Sequence, residues 1–243
     1  MRQYRIQFDP VFLILVILMA ISSITHYSSV MDWVVHKALI LPAILIGLSF
    51  HEFAHAEMAN ILGDPTAKNL GRATINPMAH FDPFGFVALL FLGFGWGIAV
   101  PYNPNNLKNR RSGEILIGVA GVAMNFIIAV IAAIIYVLMY KQGFYADLGS
   151  GLGNIVALMV YYIIDVNLVL MVFNLIPIPP LDGFGILDAI FTFKRNNVVE
   201  FLRHNGFLIM MVLILFNVID MILTPAVNFL LSGILNTLAG IIL

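Results

Sequence analysis

Ala38-Leu-Ile-Leu-Pro-Ala-Ile-Leu-Ile-Gly-Leu-Ser-Phe-His51-Glu52-Phe53-Ala54-His55-Ala-Glu-Met-Ala-Asn-Ile-Leu62 is the stretch whose reading decides this chain. It is apolar and long enough to cross a bilayer, which takes about 20 helical residues. Within it sits His-Glu-x-x-His. On a helix, His51 and His55 lie four residues apart on one face, where both can reach a single zinc ion. Glu52 then lies beside the open position of the metal as a general base. With six His in the chain, chance placement would give this pattern on the order of once in several hundred such chains. Ionisable groups inside a bilayer are costly and mark function by default. In a soluble chain the motif suggests a metalloprotease; inside a hydrophobic span it suggests peptide hydrolysis within a membrane.

Composition agrees. The chain is 61% hydrophobic and 10% charged, whereas soluble domains lie near half apolar and a quarter charged. We therefore expect an all-α polytopic membrane protein of five to six transmembrane helices. A net charge of −1 gives no sign of nucleic-acid binding. Without cysteine, disulfides and thiolate metal sites are excluded, so a metal must be held by His and carboxylate oxygen.

Apolar runs occupy residues 11–30, 38–62, 113–140, 154–176 and 206–243. The first follows Arg2 and Arg5 as a signal peptide would, but Thr25-His26-Tyr27-Ser28 offers no small-x-small cleavage site, so it reads as a retained span. A shorter run, Phe84–Val100, carries Gly85, Gly93, Gly95 and Gly97 and closes on Pro101, so it reads as a poor helix. Charge placement tests whether it crosses. If it does not, and the N-terminus is cytoplasmic, only Lys37 and Lys141 fall outside, against ten Lys and Arg inside. If it does, the split is five against seven and the positive-inside rule is lost. Residues 84–101 thus read as a membrane re-entrant, β-like loop that enters and leaves on the cytoplasmic side. Its backbone must then be buried in protein or line a water-filled cavity. The second span runs inward, which puts His51 roughly 16 Å from its cytoplasmic end. The last run is too long for one span, and Thr224-Pro225 reads as its break, with the topology of residues 224–243 undetermined.

A catalytic zinc takes three protein ligands and leaves a fourth position for water. Asp165, Asp182, Asp188 and Asp220 are the acids in apolar surroundings. Asp165 and Asp220 read as lying towards the outer half of the membrane, at the wrong depth. Asp182 follows Asn174-Leu-Ile-Pro-Ile-Pro-Pro-Leu, where three prolines forbid regular helix and Gly183 permits close backbone approach. Such a segment can fold back and present a carboxylate, which favours Asp182; an ordinary turn into the next helix is the alternative.

At this point a resemblance becomes specific. The chain resembles the site-2 protease family of intramembrane zinc metalloproteases, in its compact bacterial form without a PDZ domain. The resemblance covers residues 45 to 190. It rests on His51-Glu-Phe-Ala-His55, Leu62-Gly-Asp-Pro-Thr-Ala-Lys68, Gly71-Arg-Ala-Thr-Ile-Asn-Pro77, His80-Phe-Asp-Pro-Phe-Gly85, Gly95-Trp-Gly-Ile-Ala-Val-Pro101 and Pro179-Pro-Leu-Asp182-Gly183. It implies one Zn2+ per chain held by His51, His55 and Asp182, with Glu52 as base. Asn174 matches a family Asn that helps hold the substrate carbonyl. Gly121-Val-Ala-Met-Asn125 resembles the family's Gly-Pro-x-x-Asn, with Val122 in place of Pro, and points to Asn125 as a second substrate or oxyanion contact. The implied substrates are single-span membrane proteins or signal-peptide remnants in the bacterial plasma membrane, with the active site opening to the cytoplasm. The whole chain reads as a single membrane protease domain, with a catalytic core over 38–190 and C-terminal helices over 206–243. A strand edge in the re-entrant loop could pair with an unwound substrate; glycine-rich helix packing is the other reading. Two rival classes remain. A transporter would show repeated broken helices, and no repeat is visible. A non-proteolytic homologue would have lost Glu52 or a ligand, and all are present.

Overall fold

The computed structural model describes residues 27–92, 95–148, 151–191 and 197–243, together with 14, 17, 18, 21 and 25. Its helices are α1 (Val30–Ile61), α2 (Thr66–Asn69), α3 (Pro83–Leu92), α4 (Arg110–Lys141), α5 (Leu152–Asn174), α6 (Asp182–Phe191), α7 (Asn197–Leu215) and α8 (Val218–Ile242). Short 3-10 turns lie at Pro77–Ala79 and Pro104–Asn106. No strand occurs among the described residues. Five helices, α1, α4, α5, α7 and α8, are long and apolar enough to cross a membrane. The expected span over residues 11–30 lies outside the described residues, save for isolated positions, as do Arg2, Arg5, Lys194 and Arg195.

By internal contacts the chain divides into two compact units, residues 1–37 with 81–98, and residues 38–80 with 99–243. In the first, the stretch read as a poor helix is helical over its first half. Asp82 explains this: its Oδ1 accepts from the N–H of Phe84 (2.8 Å) and of Gly85 (2.9 Å), and Pro83 follows as the first helical residue. The glycines act further along. Residues 95–100 are irregular, and the chain returns so closely that a Cβ on Gly85 would lie 1.9 Å from the Trp96 carbonyl oxygen. The segment therefore goes out as a helix and comes back as irregular backbone, with no strand pairing. Trp33 and Phe91 stack nearby at 5.3 Å between ring centroids.

The second unit is built on α4. One of its faces, Gly121, Asn125, Ala129, Ala132 and Ala133, is buried. The opposite stripe, Ile127, Ile131, Ile134, Ile135 and Leu138, is exposed. Both repeat at helical spacing, so α4 is apolar on both faces. A bare isoleucine stripe of this length belongs in lipid rather than water. The small inner residues let α5 and α8 approach, and Ile164, Leu168 and Val227 fill the space against the three alanines.

The C-terminal region departs from the sequence reading. Its break falls at Phe216-Asn217, not at Thr224-Pro225. Asn217 takes the left-handed conformation (φ 55°), which asparagine tolerates better than most residues. Pro225 lies inside α8, two residues before the packed Val227. The Lys141 ammonium at the end of α4 donates to the Ile242 carbonyl at the end of α8 (2.6 Å). With the packing along both helices, this makes α8 parallel to α4, and Asp220 stands in the first turn of α8, remote from Lys141. Replacing Asn217 by Val should lower stability by about 1–2 kcal/mol, whereas Asn217→Gly should be near neutral. Thermal unfolding of both variants in detergent, followed by circular dichroism, checks this.

Candidate metal centre

His51 and His55 face α4 from the same side of α1, as their spacing requires. Each spends one ring nitrogen on a fixed partner. His51 Nδ1 lies 2.7 Å from Asn125 Oδ1, and His55 Nδ1 lies 2.7 Å from the Ile117 carbonyl oxygen. Which ring nitrogen carries hydrogen follows from those partners. The Asn125 Nδ2 donates to Gly47 O (3.1 Å) and to Asn167 Oδ1 (2.9 Å), so its Oδ1 is left as an acceptor. Asn167 in turn donates to Ile163 O (2.8 Å). Both histidines must therefore donate through Nδ1–H, and each neutral ring keeps its lone pair on Nε2.

Those two lone pairs converge on Asp182. The Nε2 atoms lie 2.9 Å apart, and they lie 3.1 and 3.2 Å from Asp182 Oδ2. That oxygen is buried and has no hydrogen-bond donor. Three acceptors thus face one another in a site where the side chains of His51, His55 and Asp182 are 6%, 12% and 23% exposed. Such a cluster repels itself unless something positive joins it. A tetrahedral zinc with bonds of about 2.0–2.1 Å needs ligand atoms roughly 3.3 Å apart, and the three observed separations approach that value. Two imidazoles and one carboxylate are also a familiar zinc set. The residues fit a zinc ion.

Local structure explains how Asp182 arrives there. It is the first residue of α6, after the turn Leu175–Leu181. A Cβ on Gly183 would lie 2.3 Å from Leu175 O, so only glycine lets the chain fold so tightly. At the far end of α6, Arg111 donates to the Ala189 and Ile190 carbonyls (3.1 Å to the former). Arg203 pairs with Asp188 at 2.7 Å on the same helix. On α4, Gly118 lies against Ile186. A Cβ on Gly121 would come 2.5 Å from His55 Nε2 and 2.7 Å from His51 Cε1, so Gly121 forms the wall of the centre.

Glu52 is half-buried, and its Oε2 accepts from the Val100 N–H at 2.8 Å. Asn174 ends α5, and its Nδ2 donates to Leu170 O in its own helix (2.9 Å). Asn125, expected at the substrate, is fully buried with both ends of its amide engaged as above. Three residues were not singled out by the sequence reading: Asn167, Gly47 and Asp64. Asn167 carried a usable signal, a polar side chain in an apolar span. Asp64 sits just past α1 and is fully buried. Burial raises its carboxyl, but hydrogen bonds from Thr66, Asn103 and Asn106 outweigh this and lower it.

Replacing Asn125 by Leu removes the acceptor that orients His51, and zinc affinity should fall by about 10–100-fold. Competition with a chelator of known affinity measures the change. Gly121→Val should abolish zinc binding while leaving the helical circular dichroism intact, since its side chain would occupy the space against both imidazoles.

Comparison with known proteins places the chain among zinc metalloproteases. It is 35% identical over 187 residues to the putative zinc metalloprotease YwhC of Bacillus subtilis, covering 76% of this chain and 84% of that protein. It is 27% identical over 195 residues to the putative zinc metalloprotease Rip2 of Mycolicibacterium smegmatis, covering 78% and 68%. Against the Rip2 of Mycobacterium tuberculosis it is 28% identical over 156 residues, covering 62% and 56%. No family model matches the chain, and no solved structure does.

Proposed function

Because this chain belongs to the site-2 protease family of zinc metalloproteases, we propose that it hydrolyses peptide bonds within or near the transmembrane segments of other membrane proteins. One observation carries the reading above all: three buried lone pairs converge beside a glutamate on a helix apolar enough to span a membrane.

His51, His55 and Asp182 would hold the zinc. When bound there, the ion supplies Lewis acidity, which lowers the pKa of a water at its open position and polarises the scissile carbonyl. The protein supplies the rest. Glu52 takes the proton of the attacking water and passes it to the leaving nitrogen. The Asn174 amide, released from Leu170 O, donates to the oxygen on which negative charge develops. Asn125 works from behind His51 as a positioning residue, since its amide is already committed to His51, Gly47 and Asn167. A substrate helix must first be locally unwound, because its own backbone encloses its carbonyls. The residues beside Val100, which form no regular secondary structure, offer backbone groups against which an unwound segment could lie. Single-span proteins and signal-peptide remnants are the substrates that suit such a site. The bacterial relatives support a plasma-membrane setting, and the charge distribution supports an N-terminus and active-site opening on the cytoplasmic side.

The test incubates purified protein in detergent with a panel of single-span substrates and compares wild type with Glu52→Gln. Zinc should be present at one ion per chain in both. Cleavage by Glu52→Gln should fall by about 10²–10⁴-fold. Stoichiometric zinc with no cleavage by wild type would instead support a non-proteolytic homologue.

A further inference from the structure

Asp64 is the most heavily engaged buried carboxylate of the second unit outside the metal centre, and no step above uses it. Its Oδ1 accepts from the Thr66 N–H (3.2 Å), the Thr66 hydroxyl (2.5 Å) and the Asn106 amide (2.7 Å), while its Oδ2 accepts from the Asn103 N–H (2.6 Å). Two further contacts tie the same pair of segments. The Lys108 N–H donates to Leu62 O (3.3 Å), and a Cβ on Gly63 would lie 3.2 Å from Asn106 O. Asp64 therefore pins residues 103–108 to the end of α1, the helix that carries the His-Glu-x-x-His motif. Three residues before Asn103, Val100 gives its N–H to Glu52 on that helix. The intervening backbone has no regular secondary structure and contains Pro101, whose ring fixes one of its torsions.

We propose that Asp64 is a positioning residue for Glu52: it anchors a strap, residues 100–103, whose Val100 N–H holds one oxygen of the base. This rests on the reading of Glu52 as the general base of a zinc protease. The physical argument is one of registration. A glutamate side chain has three rotatable torsions, and a single backbone donor restrains it only if the donor is itself fixed. Pro101 stiffens the strap and Asp64 fixes its far end. The remaining Glu52 oxygen is then free to take a proton. A misplacement of about 1 Å at a catalytic group can cost on the order of 10²-fold in rate.

Asp64→Asn tests this with little change of shape. It turns one acceptor oxygen into an N–H donor. In one amide orientation that donor opposes the Asn103 N–H and the strap contact is lost; in the other it opposes the Thr66 N–H and that bond is lost, so the tether is weakened either way. The chain has no cysteine, so spin labels can be placed cleanly at Tyr102→Cys on the strap and Ile61→Cys at the end of α1, both exposed positions. Pulsed electron paramagnetic resonance on the full-length, zinc-loaded protein reads the strap directly. The expected result is a narrow distance distribution with Asp64 and a broad one with Asp64→Asn. Alongside it, kcat should drop on the order of 10²-fold, with zinc unchanged at one ion per chain. An unchanged distribution, an unchanged kcat, or loss of zinc in Asp64→Asn would each overturn the proposal. The distances and zinc content are read without substrate. If wild type cuts nothing, the protease reading fails, and the tether is still judged by the distances.

Discussion

Two imidazole lone pairs and a carboxylate oxygen within about 3 Å of one another, away from water, need a positive charge between them. That constraint organises the second unit of this protein. It depends on proton placement as much as on distance. Each histidine can offer Nε2 only because Nδ1–H is already spent, on Asn125 in one case and on the Ile117 carbonyl in the other. The Asn125 amide is in turn oriented by Gly47 and Asn167. The chain of donors starts at His51 Nδ1–H on α1, passes through the Asn125 amide on α4 and the Asn167 amide on α5, and ends on the Ile163 carbonyl as acceptor. In an apolar interior such a network is held in one orientation, because any flipped amide would leave buried groups unpaired.

The same constraint explains the glycines. A centre shared by α1, α4 and the start of α6 requires the helices to come closer than ordinary side chains permit. Gly121 makes room for both imidazoles, Gly118 for Ile186, and Gly183 for the tight turn that delivers Asp182. Arg111 and Arg203 then hold α6 from its far end and its flank. Zinc affinity, helix packing and the path of the chain are therefore one problem here, and a methyl group in the wrong place would disturb all three.

Much of the architecture was legible from residue pattern. The His-Glu-x-x-His spacing placed two histidines on one helical face, and the proline-rich run before Asp182 pointed to a fold-back that ends on a carboxylate. Among the described residues, the apolar runs located three of the five candidate spans, α1, α4 and α5. The other two divide the last run: α7 begins upstream of it and ends at Leu215, and α8 begins at Val218. Proline suggested the wrong break because a proline near the start of a helix interior can be absorbed, while a left-handed asparagine turns the chain. The run of glycines after residue 84 likewise obscured a helix that Asp82 and Pro83 start efficiently.

Sequence by itself determined the chemistry on offer: a His-Glu-x-x-His in a stretch apolar enough to cross a membrane, no thiolate, and a carboxylate behind three prolines. Those are local properties, fixed by spacing and backbone stereochemistry. Only the tertiary structure decided which nitrogen of each histidine faces the centre, that Asn125 supports His51 from behind, and that α8 runs parallel to α4. It alone showed that Asp64 joins the end of the motif helix to residues 103–108. Each of these is a pairing between residues some forty or more positions apart, or between whole helices. Hydrogen-bond direction and helix approach are settled by what lies opposite in space, and periodicity along the chain carries no record of that.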